Sequence, residues 1–156
     1  RPRRSRMCAW SQDCARVGTC GALAPGLALG ELVVASEAIC ADGTSRALGV
    51  GERVAADAAL TRALMREAPE ARAGAVVSVD LFYDDGDPRD GRDALAVEME
   101  AATLFAVGAR AGMAVGCVLA VSDTFDDEGN RERIDDDALL VAAEKMGAAA
   151  IAALSV

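Results

Sequence analysis

The sequence has 156 residues, a net charge of −9, and 53% apolar but only 3% aromatic residues, so one ordinary domain would pack a core of alanine, valine and leucine. Its strongly acidic composition argues against a DNA or RNA partner. Because the chain contains no histidine, Ser-His-Asp and Cys-His nucleophiles and histidine-containing zinc sites are excluded.

The cysteines and the apolar runs predict the cellular compartment. The five cysteines form no C-x-x-C pair, and their number is odd, which favours a reducing, cytoplasmic setting over a disulfide framework. Glycine, arginine or acidic residues interrupt every apolar run before it reaches the length of a membrane span. We therefore predict a cytoplasmic protein with no membrane partner.

The chain begins with a basic stretch that leads into a glycine motif. Residues 1–15 show neither helical nor strand periodicity, so we expect a poorly ordered leader there, followed by one domain over residues 16–156. The motif is Arg16–Ala22, with the sequence RVGTCGA. Backbone N–H groups around its two glycines can converge on an anion, and Arg16 can add charge and a bidentate fork. A tight turn after a strand explains the glycines equally well.

Hydrophobic periodicity predicts alternating elements along the rest of the chain. Apolar runs predict strands at residues 27–38 and 75–81, and helical spacing predicts helices at residues 54–68 and 134–154. Turn-forming and charged residues predict loops at residues 42–45, 82–87 and 126–133. This alternation of strands and helices is typical of an α/β fold.

Residues 96–125 predict a helix followed by a buried strand. Helix formers fill residues 101–109, and Gly112 provides the stop. Residues 115–121 are almost wholly apolar, as expected for a strand that is covered on both faces.

Three carboxylates flank these two elements. Glu98 and Glu100 open the predicted helix, and Asp123 lies just beyond the end of the predicted strand. In open α/β sheets, ligands bind outside the carboxyl ends of strands, so Ser122 and Asp123 are well placed for chemistry. Taken singly, each carboxylate is explained equally well by the helix dipole or by turn capping.

The separated motifs together resemble one known family. Arg16-Val17-Gly18-Thr19 is followed by Ser78-x-Asp80-x-Phe82, by Val97-Glu98-Met99-Glu100-Ala101-Ala102, and by Val121-Ser122-Asp123. In this order they resemble the nucleoside phosphorylase family, most closely the hexameric bacterial and archaeal purine nucleoside phosphorylases, which share their fold with uridine phosphorylases. The resemblance implies an α/β three-layer sandwich with a central mixed sheet flanked by helices. It also implies a homo-oligomer in which dimers assemble into a hexamer.

The resemblance further implies roles for the site residues. Phosphate, as co-substrate, would be bound by Arg16, Val17, Gly18 and Thr19. Glu100 would bind the ribose hydroxyls, and Asp123 would be the catalytic acid that protonates the departing base. The other nucleoside contacts would come from Phe82, Glu98, Met99 and Ser122. This chemistry needs neither a metal nor an organic cofactor.

The implied function is phosphorolysis of nucleosides to free base and ribose 1-phosphate. Asp123 favours purine nucleosides, and so does Gly86-Asp87-Pro88-Arg89, which lacks the glutamine of the uridine-specific G-Q-x-R pattern. The alternatives are a uridine phosphorylase, a hydrolytic nucleosidase of the same fold, and a catalytically inert truncated chain.

The N-terminal part of the nucleoside phosphorylases has no counterpart before Arg16 in this sequence. The resemblance places a glycine-rich phosphate loop there, together with an arginine that reaches into the site of the neighbouring subunit. We therefore expect the N-terminal strands of the fold to be missing, and residues 1–156 alone to have little phosphorylase activity.

Overall fold

The structure is a computed structural model that describes residues 13–81, 93–126 and 130–155. Within these ranges, seven strands and four helices alternate along the chain. The strands are β1 (Asp13–Ala22), β2 (Leu32–Cys40), β3 (Arg53–Ala55), β4 (Arg72–Ser78), β5 (Ala96–Glu98), β6 (Ala114–Phe125) and β7 (Arg131–Arg133). The helices are α1 (Gly43–Ala47), α2 (Ala58–Glu67), α3 (Ala101–Ala111) and α4 (Asp136–Leu154).

The strands form one mixed sheet in the order β3-β2-β4-β5-β1-β6-β7. β1 runs parallel to β6, and β4 runs parallel to both β2 and β5, whereas β5 is antiparallel to β1. The first residues of β2 also pair with β6, Leu32 lying opposite Ala120. The sheet therefore curls until β2, β4, β5, β1 and β6 form a closed ring of paired strands. The predicted central mixed sheet is confirmed.

Apolar side chains pack on both faces of this sheet. Successive residues of β6 alternate between two cores, because the side chains of a strand point to opposite faces. Cys117 and Leu119 belong to the core that contains Phe105 of α3, whereas Val118 and Ala120 belong to the core beneath α2 and α4. Helices therefore cover both sides of the sheet, as the predicted three-layer sandwich requires.

Local capping sets the ends of two helices. Gly112 ends α3 with a φ of 68°, a left-handed conformation that glycine adopts without strain, and this predicted stop is confirmed. The Asp57 carboxylate accepts hydrogen bonds from the backbone N–H groups of Ala59 (2.9 Å) and Leu60 (2.8 Å), so α2 begins just after it. The predicted start of this helix at residue 54 is wrong, because Val54 belongs to β3.

The long C-terminal helix agrees with its prediction. α4 begins after Asp135, whose carboxylate accepts a hydrogen bond from the backbone N–H of Ala138 (2.8 Å). Three buried small or flexible side chains, Ala142, Met146 and Ala149, pack this helix against the sheet and α2. None of the helices in the described part of the chain is long and apolar enough to cross a membrane.

Three predicted strand and leader boundaries are wrong. The strand predicted at residues 75–81 is β4, which begins earlier and ends at Ser78. Residues 13–15, which we expected in the leader, belong to β1. The strand predicted at residues 27–38 spans residues 32–40 in the structure. It begins later than predicted because turns precede it. Gly26 and Gly30 form these turns with φ values of 76° and 80°.

The predicted loops have three different outcomes. The loop predicted at residues 42–45 is wrong, because Asp42 caps helix α1 by accepting a hydrogen bond from the backbone N–H of Ser45 (2.7 Å). The charged loop predicted at residues 126–133 contains the short strand β7. The loop predicted at residues 82–87 lies outside the described residues.

Candidate active site

Arg16 lies in β1, and its guanidinium lies over Gly18, two residues further along the strand. A Cβ atom on Gly18 would lie 2.1 Å from Arg16 Nη1, so this arrangement requires glycine there. The glycine motif is strand rather than turn, because Gly18 pairs with Leu119 and Cys20 with Val121 on β6. The tight turn that would also explain these glycines is therefore wrong, and the binding of phosphate by this motif stays a prediction. Within this motif, Arg16 is the side chain that carries positive charge.

Two carboxylates hold the Arg16 guanidinium from different sides. Its Nη2 lies 3.4 Å from Glu98 Oε2 and also donates to Glu100 Oε2. Burial would lower the pKa of Arg16, but the hydrogen bond to Glu100 and the surrounding negative charge raise that pKa above its ordinary value. Nη1 is buried and has no hydrogen-bond partner among the described residues. A buried guanidinium donor without a partner is suited to an anionic ligand.

Glu98 is the fixed carboxylate of this pair. It ends β5, so the prediction that it opens helix α3 is wrong. Its side chain is fully buried, and Oε2 accepts hydrogen bonds from the backbone N–H groups of Glu100 (2.9 Å) and Ala101 (2.9 Å). Oε1 accepts from the hydroxyl of Ser78. The carboxylate thus caps the positive end of α3 from the neighbouring strand, and its contacts are within the protein.

Glu100 and Met99 are the exposed members of the same turn. Glu100 is the N-cap residue of α3, but its side chain makes no capping hydrogen bond and extends to Arg16 instead. Met99, on the short connection between β5 and α3, is also exposed. Both side chains are therefore accessible to a ligand at this end of the site.

Asp123 forms a second charged cluster. The prediction that it lies beyond its strand is wrong, because β7 extends the pairing and places Asp123 opposite Arg133. The buried carboxylate accepts hydrogen bonds from Ser122 Oγ (2.6 Å, to Oδ2) and from Arg131 Nε (2.5 Å, to Oδ1). Sequence reasoning missed Arg131, although the alternating Arg131-Glu132-Arg133 is the period of a short strand.

The end of β1 lies between the two clusters. Gly21 pairs with Val97 of β5 on one side and with Asp123 of β6 on the other. Burial raises the pKa of the Cys20 thiol to about 12, and the negative charges of Glu98 and Asp123 act in the same direction. Cys20 therefore remains a neutral thiol within electrostatic reach of both carboxylates.

The structure does not bring Thr19 together with Arg16. Arg16 pairs with Cys117, whose side chain belongs to the α3 core, whereas Thr19 pairs with Ala120, which belongs to the core beneath α2 and α4. Residues three apart in a strand point to opposite faces of the sheet. Val17 pairs with Val118 and therefore points to the same face as Thr19. Phe82, the predicted contact of the base, lies outside the described residues.

Other features of the described residues do not add to this site. No group of three or more acidic or cysteine side chains in the ranges 13–81, 93–126 and 130–155 could hold a metal ion. A cavity of about 390 Å³ lies elsewhere, at the edge formed by β2, β3 and α1, where Cys40, Arg46 and Arg53 line it.

Comparison with known proteins identifies the family. Residues 15–155 match the family model described as the phosphorylase superfamily. The chain belongs to this superfamily. The resemblance of the glycine, E-M-E and S-D motifs to nucleoside phosphorylases is thereby confirmed.

Three relatives are named for phosphorylases of different nucleosides. The chain is 37% identical over 131 residues to a guanosine phosphorylase of Halorubrum lacusprofundi, covering 78% of this chain and 54% of the relative. It is 36% identical over 118 residues to a DeoD-type purine nucleoside phosphorylase of Shewanella loihica, covering 69% and 50%. It is 33% identical over 156 residues to a uridine phosphorylase of Thermococcus kodakarensis, covering 83% and 54%. The chain thus spans about half the length of the curated relatives that it matches.

Proposed function

We propose that this chain carries the nucleoside site of a phosphorylase that converts a nucleoside and phosphate into a free base and ribose 1-phosphate. The observation that carries the proposal is the guanidinium of Arg16, buried with a free Nη1 donor and held between one buried and one exposed carboxylate. The superfamily membership and the names of the relatives support it.

At the phosphate end, Arg16 is the principal ligand. Its charge and its free Nη1 donor suit a phosphate oxygen, and Gly18 leaves the space in which the guanidinium lies. Val17 and Thr19 remain in the proposed phosphate set because of the resemblance alone, since strand alternation directs both away from Arg16.

At the sugar, Glu100 and Met99 are the exposed groups of the site. A carboxylate can accept hydrogen bonds from two vicinal hydroxyls, and the side chain of Glu100 can leave Arg16 to do so when phosphate takes its place. As the glycosidic bond breaks, positive charge develops on the sugar, and a nearby carboxylate offsets it. Glu98 then stays behind as the fixed partner of Arg16.

At the base, Asp123 is the proposed general acid. Asp123 first takes up a proton from solvent in place of its ion pair with Arg131. The C–N bond then breaks, its electron pair stays on the base nitrogen and accepts this proton from Asp123, and a phosphate oxygen bonds to the anomeric carbon. Ser122 and Arg131 fix the carboxyl through hydrogen bonds to its two oxygens. A positioned acid of this kind accelerates bond breaking by about a hundred- to ten-thousand-fold.

The proposed substrates are purine nucleosides. Asp123 and the missing glutamine at residues 86–89 favour purines, as do the guanosine and purine names of two relatives. A uridine phosphorylase is the second candidate, because a relative of that name covers 83% of this chain. We further propose a cytoplasmic homo-oligomer; the four cysteines among the described residues are free thiols, which suits a reducing compartment.

The test is release of free base by the protein as its gene encodes it. Guanosine, inosine, adenosine and uridine are each offered with and without inorganic phosphate. We expect release that depends on phosphate and that is faster for the purine nucleosides. Release at the same rate without phosphate would favour a hydrolytic nucleosidase, and faster release of uracil would favour the second candidate.

A further inference from the structure

Ser78 is a fully buried hydroxyl at the point where three elements meet. It ends β4, lies opposite Glu98 of β5, and contacts the first turn of α3. Its Oγ donates a hydrogen bond to Glu98 Oε1 and accepts one from the backbone N–H of Ala102 (2.9 Å). Neither the donor nor the acceptor side of this hydroxyl faces a ligand, so Ser78 acts only on the carboxylate and the helix.

The hydrogen bond from Ser78 helps to orient the Glu98 carboxylate. Ser78 holds Oε1, which also accepts a longer hydrogen bond from the backbone N–H of Ala101 (3.1 Å). The other oxygen, Oε2, is directed at the N-terminal amides of α3 and at Arg16 Nη2 (3.4 Å). Glu98 in turn is the buried partner of the guanidinium, whereas Glu100 is exposed. The direction in which Arg16 presents its free Nη1 therefore depends on a carboxylate that Ser78 orients.

We propose that Ser78 is a positioning residue for phosphate, acting through Glu98 on Arg16. This inference rests on the proposed function, since it assumes that Arg16 binds the phosphate co-substrate. Removing the hydroxyl leaves the chemistry of Asp123 untouched but takes away the side-chain hydrogen bond to Glu98 Oε1, so only the α3 amides hold the carboxylate and the guanidinium is oriented less firmly. The expected defect is in the use of phosphate rather than of nucleoside.

The chain offers a matched control in Ser45. Ser45 is also fully buried and also donates its hydroxyl to a buried carboxylate, that of Asp42 at the start of α1. Asp42 also accepts from Thr103 Oγ1 of α3 (2.9 Å), so both serines stabilise the surroundings of the same helix. The described contacts of Ser45 include none with Glu98 or Arg16. A general loss of packing should therefore affect the alanine variants of both serines. A loss of the positioning of Glu98 and Arg16 should affect only the variant at Ser78.

The experiment compares Ser78→Ala, Ser78→Thr and Ser45→Ala in the protein as its gene encodes it. Steady-state kinetics give KM for phosphate, KM for the nucleoside and kcat, and thermal unfolding gives the loss of stability. For Ser78→Ala we expect KM for phosphate to rise on the order of tenfold, the effect of losing one hydrogen bond to a charged group. KM for the nucleoside should change less than twofold, Ser78→Thr should recover most of the loss, and Ser45→Ala should leave KM for phosphate unchanged.

The outcomes separate this inference from the proposed function. If the unaltered protein releases base in a phosphate-dependent manner but Ser78→Ala and Ser45→Ala shift both KM values alike, the inference is overturned and the proposed function stands. If Ser78→Ala does not fold, Glu98→Gln replaces it, and an unchanged KM for phosphate in that variant overturns the inference. If the unaltered protein releases base without any need for phosphate, both proposals fail.

Discussion

The two ends of the site contain the same kind of ion pair with opposite burial. In the pair of Arg16 and Glu100, the arginine side chain is 14% exposed and the carboxylate 55%. In the pair of Asp123 and Arg131, the carboxylate side chain is 8% exposed and the arginine 33%. The first end therefore fixes the positive guanidinium of Arg16, and the second end fixes the negative carboxylate of Asp123.

This difference indicates which partner a ligand can replace. A buried charge that loses its partner is costly, whereas an exposed side chain is readily solvated. At the first end, Glu100 can leave while Arg16 stays, so an anion can take its place. At the second end, Arg131 is the more accessible partner, so the fixed carboxyl of Asp123 can meet a group of the ligand. Under the proposed function, the same ion-pair chemistry would serve phosphate at one end and the base at the other.

The largest effect on activity is expected from substitution of Asp123. Asp123→Asn retains the shape and the hydrogen-bonding sites near Ser122 but removes the acid. We expect kcat for purine release to fall by about a hundred- to ten-thousand-fold, the usual contribution of a general acid. KM for phosphate should stay within twofold, because Arg16 lies in the other cluster. Rapid-quench measurement of base release checks this, and an unchanged kcat would remove Asp123 from the mechanism.

The next largest effect, on KM for phosphate, is expected from substitution of Arg16. Arg16→Lys keeps the positive charge but loses the planar fork that reaches Glu98, Glu100 and the anion at the same time. We expect KM for phosphate to rise roughly ten- to a hundredfold, as for the loss of hydrogen bonds to a charged group. Arg53→Lys is the control, because Arg53 forms an exposed pair with Glu37 at the β3 edge. Equal effects of the two substitutions would contradict the assignment of Arg16.

A smaller effect is expected from filling the space under the guanidinium. Gly18→Ala places a Cβ 2.1 Å from Arg16 Nη1, so the guanidinium must move away. We expect KM for phosphate to rise by about tenfold, the loss of one charge-assisted hydrogen bond. Gly51→Ala is the matched control, because a Cβ there meets no atom within 4 Å. If both substitutions leave KM for phosphate unchanged, the orientation of Arg16 over Gly18 has no part in binding.

The smallest effect is expected at the exposed carboxylate, and its direction is informative. Glu100→Gln weakens the group that competes with phosphate for Arg16, so phosphate should bind the free protein a few-fold more tightly, within the range of surface ion pairs. The same variant should lose more activity on ribonucleosides than on 2′-deoxyribonucleosides, because an amide accepts fewer hydrogen bonds than a carboxylate. Equal losses on both nucleosides would leave Glu100 with a structural role alone.

The parts of the fold that depend on local sequence could be predicted from it. The apolar run of β6 and the stop of α3 at Gly112 follow from composition and backbone preference within a few residues. β1 was not predicted as a strand, because the glycines of its motif also suit a turn. Once β1 is known to be a strand, the separation of Arg16 from Thr19 follows from side-chain alternation alone.

The roles within the site depend on contacts between distant parts of the chain. In the sequence, Glu98 and Glu100 are equivalent carboxylates before a helix. The pairing of β5 with β4 distinguishes them, because it buries Glu98 beside Ser78, twenty residues earlier. Arg131 reaches Asp123 because β7 turns back along β6. Such partners are set by sheet pairing, which hydrophobic periodicity does not specify.

The most direct test of the central claim is a calorimetric titration of inorganic phosphate into the protein as its gene encodes it, without nucleoside. The claim is that the buried Nη1 donor of Arg16 binds the phosphate co-substrate. We predict saturable binding that Arg16→Gln abolishes and that Arg53→Gln, at the exposed pair with Glu37, leaves intact. Phosphate binding of equal affinity in the Arg16→Gln variant would contradict the account.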